Sequence, residues 1–451
     1  MTKAPPNSNR PSSRAVNPPP APPAPLLAVR GEIVHFLADP ASHGATALEH
    51  FADGILVLRH GHVAELGPAD ALLAKLPHGT TPLDYRGKLI LPGFVDTHVH
   101  YGQTDMIASY GEQLLPWLEK YAFPAERRFA DPEHATAVAE FFCDELLKNG
   151  TTTASVLPTV HAGSVDALFA AAEKRRMRLV SGKLLMDRNC PDFLRDGAIT
   201  GDGAAKALIE RWHGRARLRY AVTPRSAFTS SREQMTLAGR LFAAWPELHL
   251  QSHLAENRSE VALARKLYPE ARSYGDVFER FGQFGERALF AHCLWIDDED
   301  RERLGATGTA ISFCPTSNLF LGSGLFDLAA AQALGIRVGL GTDVGAGTSF
   351  SLLQTLNEAY KVLQLQGQTL SPESAFYLAT LGGARSLYLE RFIGNFLPGK
   401  EADFVVLDAQ ATPLLARRMA NATTLSERLF VLMMLGDDRA VAATHVLGDR
   451  V

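Results

Sequence analysis

Leu89-Ile90-Leu91-Pro92-Gly93-Phe94-Val95-Asp96-Thr97-His98-Val99-His100 decides the fold. An apolar run ends on two histidines spaced i, i+2, and on a β-strand that spacing puts both imidazoles on one face. Two imidazoles projecting from one rigid strand form half of a metal site. Further donors are then expected at the ends of other strands. Two isolated surface histidines would look the same locally, so the rest of the chain has to decide.

Downstream, helical stretches alternate with short β-prone runs, a pattern that calls for a parallel sheet with crossover helices. The candidate strands are Gly93–His100, Thr151–Val156, Leu179–Met186, Leu218–Thr223, Leu248–His253, Ala288–His292, Thr309–Cys314 and Ile336–Asp343. Eight strands in alternation with helices predict an α/β fold of the (β/α)8 TIM-barrel type over 91–394, rather than an open doubly wound sheet. Ala137–Lys148 reads as one of the crossover helices, closed by the C-cap Asn149-Gly150.

Both flanks are β-rich. Leu26–Leu37, Gly54–Arg59 and His62–Leu66 precede the barrel, the last two joined by His60-Gly61 as a hairpin turn; Ala402–Asp408 and Ala442–Val451 follow it. Together 26–90 and 395–451 predict a small β-sandwich domain built from both chain ends. Residues 1–25 include Pro18-Pro19-Pro20-Ala21-Pro22-Pro23-Ala24-Pro25. That composition predicts a disordered, partly polyproline-II tail, without the apolar core of a signal peptide.

At 451 residues, 46% hydrophobic and 21% charged, the chain has room for one large domain and a smaller one. A net charge of -4 leaves no electrostatic footprint for nucleic acid or an anionic membrane. No apolar run is long enough to span a bilayer. Cys143, Cys190, Cys293 and Cys314 lie far apart, as expected of reduced thiols in a cytoplasmic protein.

Barrel active sites form at the C-terminal strand ends. Besides His98 and His100, those ends carry His253 (Gln251-Ser252-His253), His292 (Phe290-Ala291-His292) and Asp343 (Gly341-Thr342-Asp343). A lone strand-end Asp is usually a helix N-cap; five such groups at the expected ends are a metal site. Imidazole and carboxylate without thiolate suit Zn²⁺, with Fe²⁺ or Mn²⁺ as poorer alternatives. Glu256, three residues past His253, is placed to carry a proton from water to a substrate. Asn257 and Ser259 mark a helix start there, so Glu256 also fits a first-turn acid. The zinc nucleobase deaminases of the other architecture carry H-x-E with P-C-x-x-C, and no such cysteine pair occurs here.

With these residues assembled, the chain resembles the amidohydrolase superfamily from about Leu26 to its C-terminus. The resemblance rests on Pro92–His100, His253, His292, Gly341-Thr342-Asp343 and the late Pro398-Gly399-Lys400-Glu401-Ala402-Asp403. Within the superfamily it is similar to the guanine deaminases, through Gln103–Leu115, Phe123-Pro124-Ala125-Glu126, Cys314-Pro315-Thr316-Ser317-Asn318 and Gly341–Gly347. The resemblance implies one Zn²⁺ per chain, held by His98, His100, His253 and Asp343, and hydrolysis of guanine at C2 to xanthine and ammonia. It implies that Glu256 delivers a proton to N3 and that Asp343 accepts the water's proton and passes it to the departing amine. His292 would hydrogen-bond the attacking oxygen. Homodimerisation is a further implication.

Purine recognition is expected from Gln103 and Arg225, the arginine fork matching O6 and N7, with His100, His253, Glu256 and Asp343 also against the substrate. Ser226 follows Arg225 where guanine deaminases generally carry Phe, and Gly102 replaces a usual Pro or Ser. If another ring covers the purine, Phe228 is the nearest, with Tyr101 and Trp117 behind it. Binuclear relatives bridge two metals with a carboxylated lysine at the end of strand four. Here that position reads Thr223-Pro224-Arg225. Lys183 is the other lysine to weigh, and it reads as buried and paired. The expectation is a mononuclear site. The competing functions are an amidohydrolase for another aminated heterocycle (8-oxoguanine, a pterin, an s-triazine) and a non-catalytic scaffold of the same fold.

Overall fold

The computed structural model describes residue 1 and residues 26–245 and 247–451; the expected Pro-rich tail lies almost wholly outside them. Four strands come first: β1 (Leu26–Phe36), β2 (Leu48–Arg59), β3 (His62–Pro68) and β4 (Leu83–Pro92). The central series is β5 (Phe94–His100), β6 (Thr151–Leu157), β7 (Arg178–Ser181), β8 (Leu184–Leu185), β9 (Leu218–Pro224), β10 (His249–Leu254), β11 (Ala288–His292), β12 (Ala310–Phe313) and β13 (Val338–Leu340). The chain closes with β14 (Phe404–Leu407), β15 (Val441–Val446) and β16 (Asp449–Arg450).

The two chain ends share one seven-stranded sheet, ordered β16-β15-β14-β4-β1-β2-β3. His60 and Gly61, with φ of 52° and 75°, turn β2 into β3, the positive-φ pair that matches the twist of a two-residue hairpin. The sheet curls until its β3 edge meets the segment before β14. Val63 N–H donates to the Lys400 carbonyl and Ala402 N–H to the Gly61 carbonyl, both at 2.8 Å. Val29, Ile33, Leu56, Phe404 and Val406 fill the space so enclosed.

The barrel strands pair in the order β5-β6-β7-β9-β10-β11-β12-β13. Closure comes from beyond the last strand: Asp343 N–H donates to the His98 carbonyl at 2.9 Å and His100 N–H to the Val344 carbonyl at 2.7 Å. Every residue of β5 and β6 is buried, as expected of parallel strands covered on both faces. The helix after β5 starts earlier than its periodic pattern, at Pro132 behind the N-cap Asp131, and ends at Lys148 with Asn149 as C-cap.

The third expected strand, Leu179–Met186, is two pieces. Gly182 interrupts it by packing against the main chain of β9, where a Cβ would stand 1.8 Å from the Ala221 carbonyl oxygen. Lys183 follows, its N–H donating to Tyr220 Oη at 3.2 Å and its ammonium paired with Asp196. Among the described residues no helix is long and apolar enough to cross a membrane, and all four cysteines are free.

Candidate active site

The C-terminal mouth of the barrel gathers the strand-end residues. His98 and His100 come from β5, His253 from β10, His292 from the end of β11 and Asp343 from just past β13. Ligand atoms of His98, His100 and His253 lie within 4.8 Å of one another, as do those of His98, His292 and Asp343. Asp343 Oδ1 is 3.3 Å from His98 Nε2 and 3.4 Å from His100 Nε2, and Oδ2 is 3.7 Å from His292 Nε2. His292 and Asp343 hold φ at 72° and 53°, conformations that cost non-glycine residues on the order of 1–3 kcal/mol and that cluster at functional sites.

Neighbours fix how these rings face. His253 Nδ1 lies 2.7 Å from the Arg225 carbonyl and donates to it, leaving Nε2 toward the cluster. His292 Nδ1 is 2.8 Å from Asn318 Oδ1. Asp96 ties β5 to the end of β13, accepting from the N–H groups of His98 and Thr342, both at 3.1 Å, and from the Thr342 hydroxyl. Both ring nitrogens of His98 and Nε2 of His292 are buried without a hydrogen-bond partner. Buried donors and acceptors are ordinarily satisfied, so these orphaned nitrogens around a carboxylate fit a bound cation. The donor set, nitrogen and carboxylate oxygen without sulfur, suits zinc.

A cleft opens beside this cluster, lined by Gln103, Trp117, Arg225, Ser226, Phe228 and Glu256 among others, with about 30 Å³ of free space. Glu126 stands behind it, fully buried, a residue whose role sequence reasoning missed. Its two carboxylate oxygens accept from Arg225 Nη1 at 2.8 and 2.7 Å, and Oε1 also accepts from the Gln103 amide at 3.1 Å. Phe123 lies under the guanidinium, 5.4 Å from ring centre to Cζ. Tyr101, expected near the substrate, is instead in the core. Its hydroxyl donates to the Ala135 carbonyl and its ring packs on Phe129 and Phe142.

The amidohydrolase family matches residues 89–451. The chain belongs to that family. It is 52% identical over 425 residues to the guanine deaminase of Escherichia coli (strain K12), covering 94% of this chain and 97% of that one. The solved structure of E. coli guanine deaminase superposes with a TM-score of 0.93 over 94% of this chain and 99% of its own. A guanine deaminase from C. acetobutylicum, solved with guanine in its active site, is 29% identical and superposes at 0.86, covering 95% and 100% of the two chains.

Electrostatics set the groups of this amidohydrolase's cleft apart from one another. Burial, then the neighbouring imidazoles, holds His100 and His253 well below the usual histidine range, so both are neutral at pH 7, the form that can donate to a cation. Burial alone would raise Asp343, but the imidazoles of His98, His292 and His100 outweigh it and hold the carboxyl well below its ordinary range. Glu256 goes the other way: burial and the nearby Asp343 push it up to about 8. Its Oε2 is 3.5 Å from His292 Nε2. Glu256 lies ahead of the following helix, not in its first turn. Asn257 caps helix Arg258–Leu267 in a capping box with Glu260, which accepts the N–H groups of Glu256 at 2.9 Å and Asn257 at 3.1 Å. With capping done by Glu260, the Glu256 carboxyl faces the cleft.

Proposed function

We propose that this protein hydrolyses guanine to xanthine and ammonia, with one zinc ion held by His98, His100, His253 and Asp343. Bound there, the ion supplies a water acidified toward neutral pH. The observation that carries the reading is the Arg225–Glu126 pair beside the imidazole cluster. A guanidinium neutralised by a buried carboxylate presents directed donors without net charge, which suits a neutral lactam and not an anionic substrate.

The residues then divide the work. Glu126 engages Nη1 alone, which leaves Nη2 and Nε of Arg225 to meet O6 and N7; Gln103, held by the same carboxylate, meets the base edge nearer His100. As water adds to C2, Glu256 carries one of its protons to N3, and His292 hydrogen-bonds the oxygen as charge develops. Asp343 takes the second proton and returns it to the amine. The C2–N bond breaks and ammonia leaves, with both protons of the water accounted for. We infer a homodimeric, cytoplasmic enzyme of purine breakdown and salvage on the strength of the guanine deaminases it resembles.

Ammonia release assayed across guanine, adenine, 8-oxoguanine, cytosine and ammeline, alongside metal analysis, tests this. Guanine should be the preferred substrate of protein carrying about one zinc per chain. Equal or faster turnover of ammeline or 8-oxoguanine would reassign the substrate, and two tightly held metals would overturn the mononuclear site.

A further inference from the structure

The barrel carries a second pocket at its opposite end, about 470 Å³ in volume and so within the range of small-molecule sites. It lies at the start of β9, β10 and β11, where Arg219, His249 and Arg287 stand, and is walled by the segment from Tyr388 to Lys400 that returns to β14. Arg219, Arg287, Arg391 and Lys400 line it, and among the described residues none of the four lies within 4.0 Å of a carboxylate. Glu247 and Glu390 also line it, but Glu390 is engaged by Arg337 at 3.1 Å and Glu247 is exposed. The neighbouring buried arginines are treated differently. Arg178 and Arg217 are both paired with Glu401, and Arg217 also with Asp403. In a chain of net charge -4 this pocket keeps a local surplus of positive charge.

A second observation points to a ligand. His249 is buried and lines the pocket; its Nε2 donates to the Leu387 carbonyl at 2.8 Å, which makes Nδ1 an acceptor, and Nδ1 is buried without a partner. Arg287 Nε is buried and unpartnered as well. The guanidiniums of Arg219 and Arg391 stand over the Phe392 ring at 6.0 and 4.4 Å, which limits their freedom before any anion arrives. Burial lowers Lys400 to about 8, a loss that a nearby anion would reverse.

We propose that this pocket binds a phosphorylated small molecule with a di- or triphosphate group, of the nucleotide class. Arg219, Arg287, Arg391 and Lys400 take the phosphates, since guanidinium forks match phosphate oxygens. His249 Nδ1 takes a hydroxyl or N–H of the attached nucleoside, a donor that inorganic polyphosphate lacks. Two of the strands at this pocket end in the active site: β10 runs from His249 to His253 and β11 from just after Arg287 to His292. At ~3.3 Å per residue the two sites are roughly 13–17 Å apart along those strands.

Titration calorimetry of the full-length, zinc-loaded protein with ATP, GTP and tripolyphosphate tests the assignment. A nucleoside triphosphate should bind, at least ~10-fold tighter than tripolyphosphate, the scale of one directed hydrogen bond in a buried site. Arg287→Gln and the exposed Arg391→Gln should each weaken it by ~5-fold or more while guanine turnover stays within about twofold. Any chelation of zinc by the probe is the same for wild type and variants, so their difference reads the pocket. No binding at ~1 mM, or affinity unchanged in both variants, overturns the site. Equal affinity for tripolyphosphate and the nucleotides removes the part given to His249 and with it the ligand class.

Discussion

The carbonyl oxygen of Arg225 accepts a 2.7 Å hydrogen bond from His253 Nδ1 while the same residue's guanidinium is gripped by Glu126. One residue after β9 thus orients an imidazole of the His98–His100–His253 cluster through its main chain and, in the function proposed above, the base-reading donors through its side chain. In that function, metal geometry and substrate geometry share a support.

That coupling predicts a split between main-chain and side-chain functions. Arg225→Ala keeps the carbonyl, so zinc content should hold, while guanine turnover falls by roughly 1–3 kcal/mol in kcat/KM, the scale of one bidentate contact. 2-Aminopurine, which lacks O6, should suffer much less. Either change strands one buried charge of the pair, at a cost of about 3–5 kcal/mol in stability, and Glu126→Ala also releases the Gln103 amide. Melting temperature together with kcat/KM on both bases checks the pair; equal losses on both bases remove Arg225 from recognition.

Glu256→Gln should retain the fold, the metal and substrate binding and lower kcat by ~10²-fold or more, the scale of a lost acid–base group. The expectation rests on Glu260 performing the capping, so that the amide at 256 leaves the helix start untouched. If zinc is lost but turnover per zinc is kept, Glu256 is a structural residue.

Metal uptake should depend on pH through the same carboxyl. Without metal, Glu256 is raised to about 8. Below that value it holds a proton that an arriving dication displaces, because the cation favours the charged form. His100 and His253, held well below the usual range, have no proton to give up near neutrality. Zinc affinity should therefore rise with pH up to about 8 and then level, with proton release in weakly buffered titrations. Glu256→Gln should flatten that rise; a slope unchanged in this variant would place the released proton elsewhere.

Much of this was legible in the sequence because it depended on local periodicity. The i, i+2 histidines of β5, the strand-end His253, His292 and Asp343, and the helix start at Asn257 all follow from spacing alone. What was not legible depended on a partner far along the chain. Gly182 breaks a strand because of the Ala221 carbonyl. Glu126 stands 99 residues from the guanidinium that gives it a role. Tyr101 follows His100 directly, yet the 3₁₀ turn Tyr101–Met106 begins there and carries the ring into the core.

Ser226 poses the sharpest remaining question, because it stands where the guanine deaminases generally carry Phe. It is buried, its Oγ is 2.9 Å from Thr229 Oγ1, and it lines the cleft together with Phe228. Phe228 packs in one cluster with Trp117 and Leu118, which also line the cleft. A ring at position 226 would have to displace Thr229 or take cleft space that the purine itself needs. Ser226→Phe should not lower KM for guanine; it should overpack the site, costing about 1–3 kcal/mol of stability. Phe228→Ala should raise KM by the worth of one aromatic contact, roughly 0.5–1.5 kcal/mol or about 2- to 13-fold, and lower the melting temperature through the cavity it leaves. Steady-state kinetics and thermal melts on the two single variants decide the matter. A Ser226→Phe enzyme with lower KM and an unchanged melting temperature would mean that the cleft is open beside residue 226, and that Phe228 does not stand in for the missing ring.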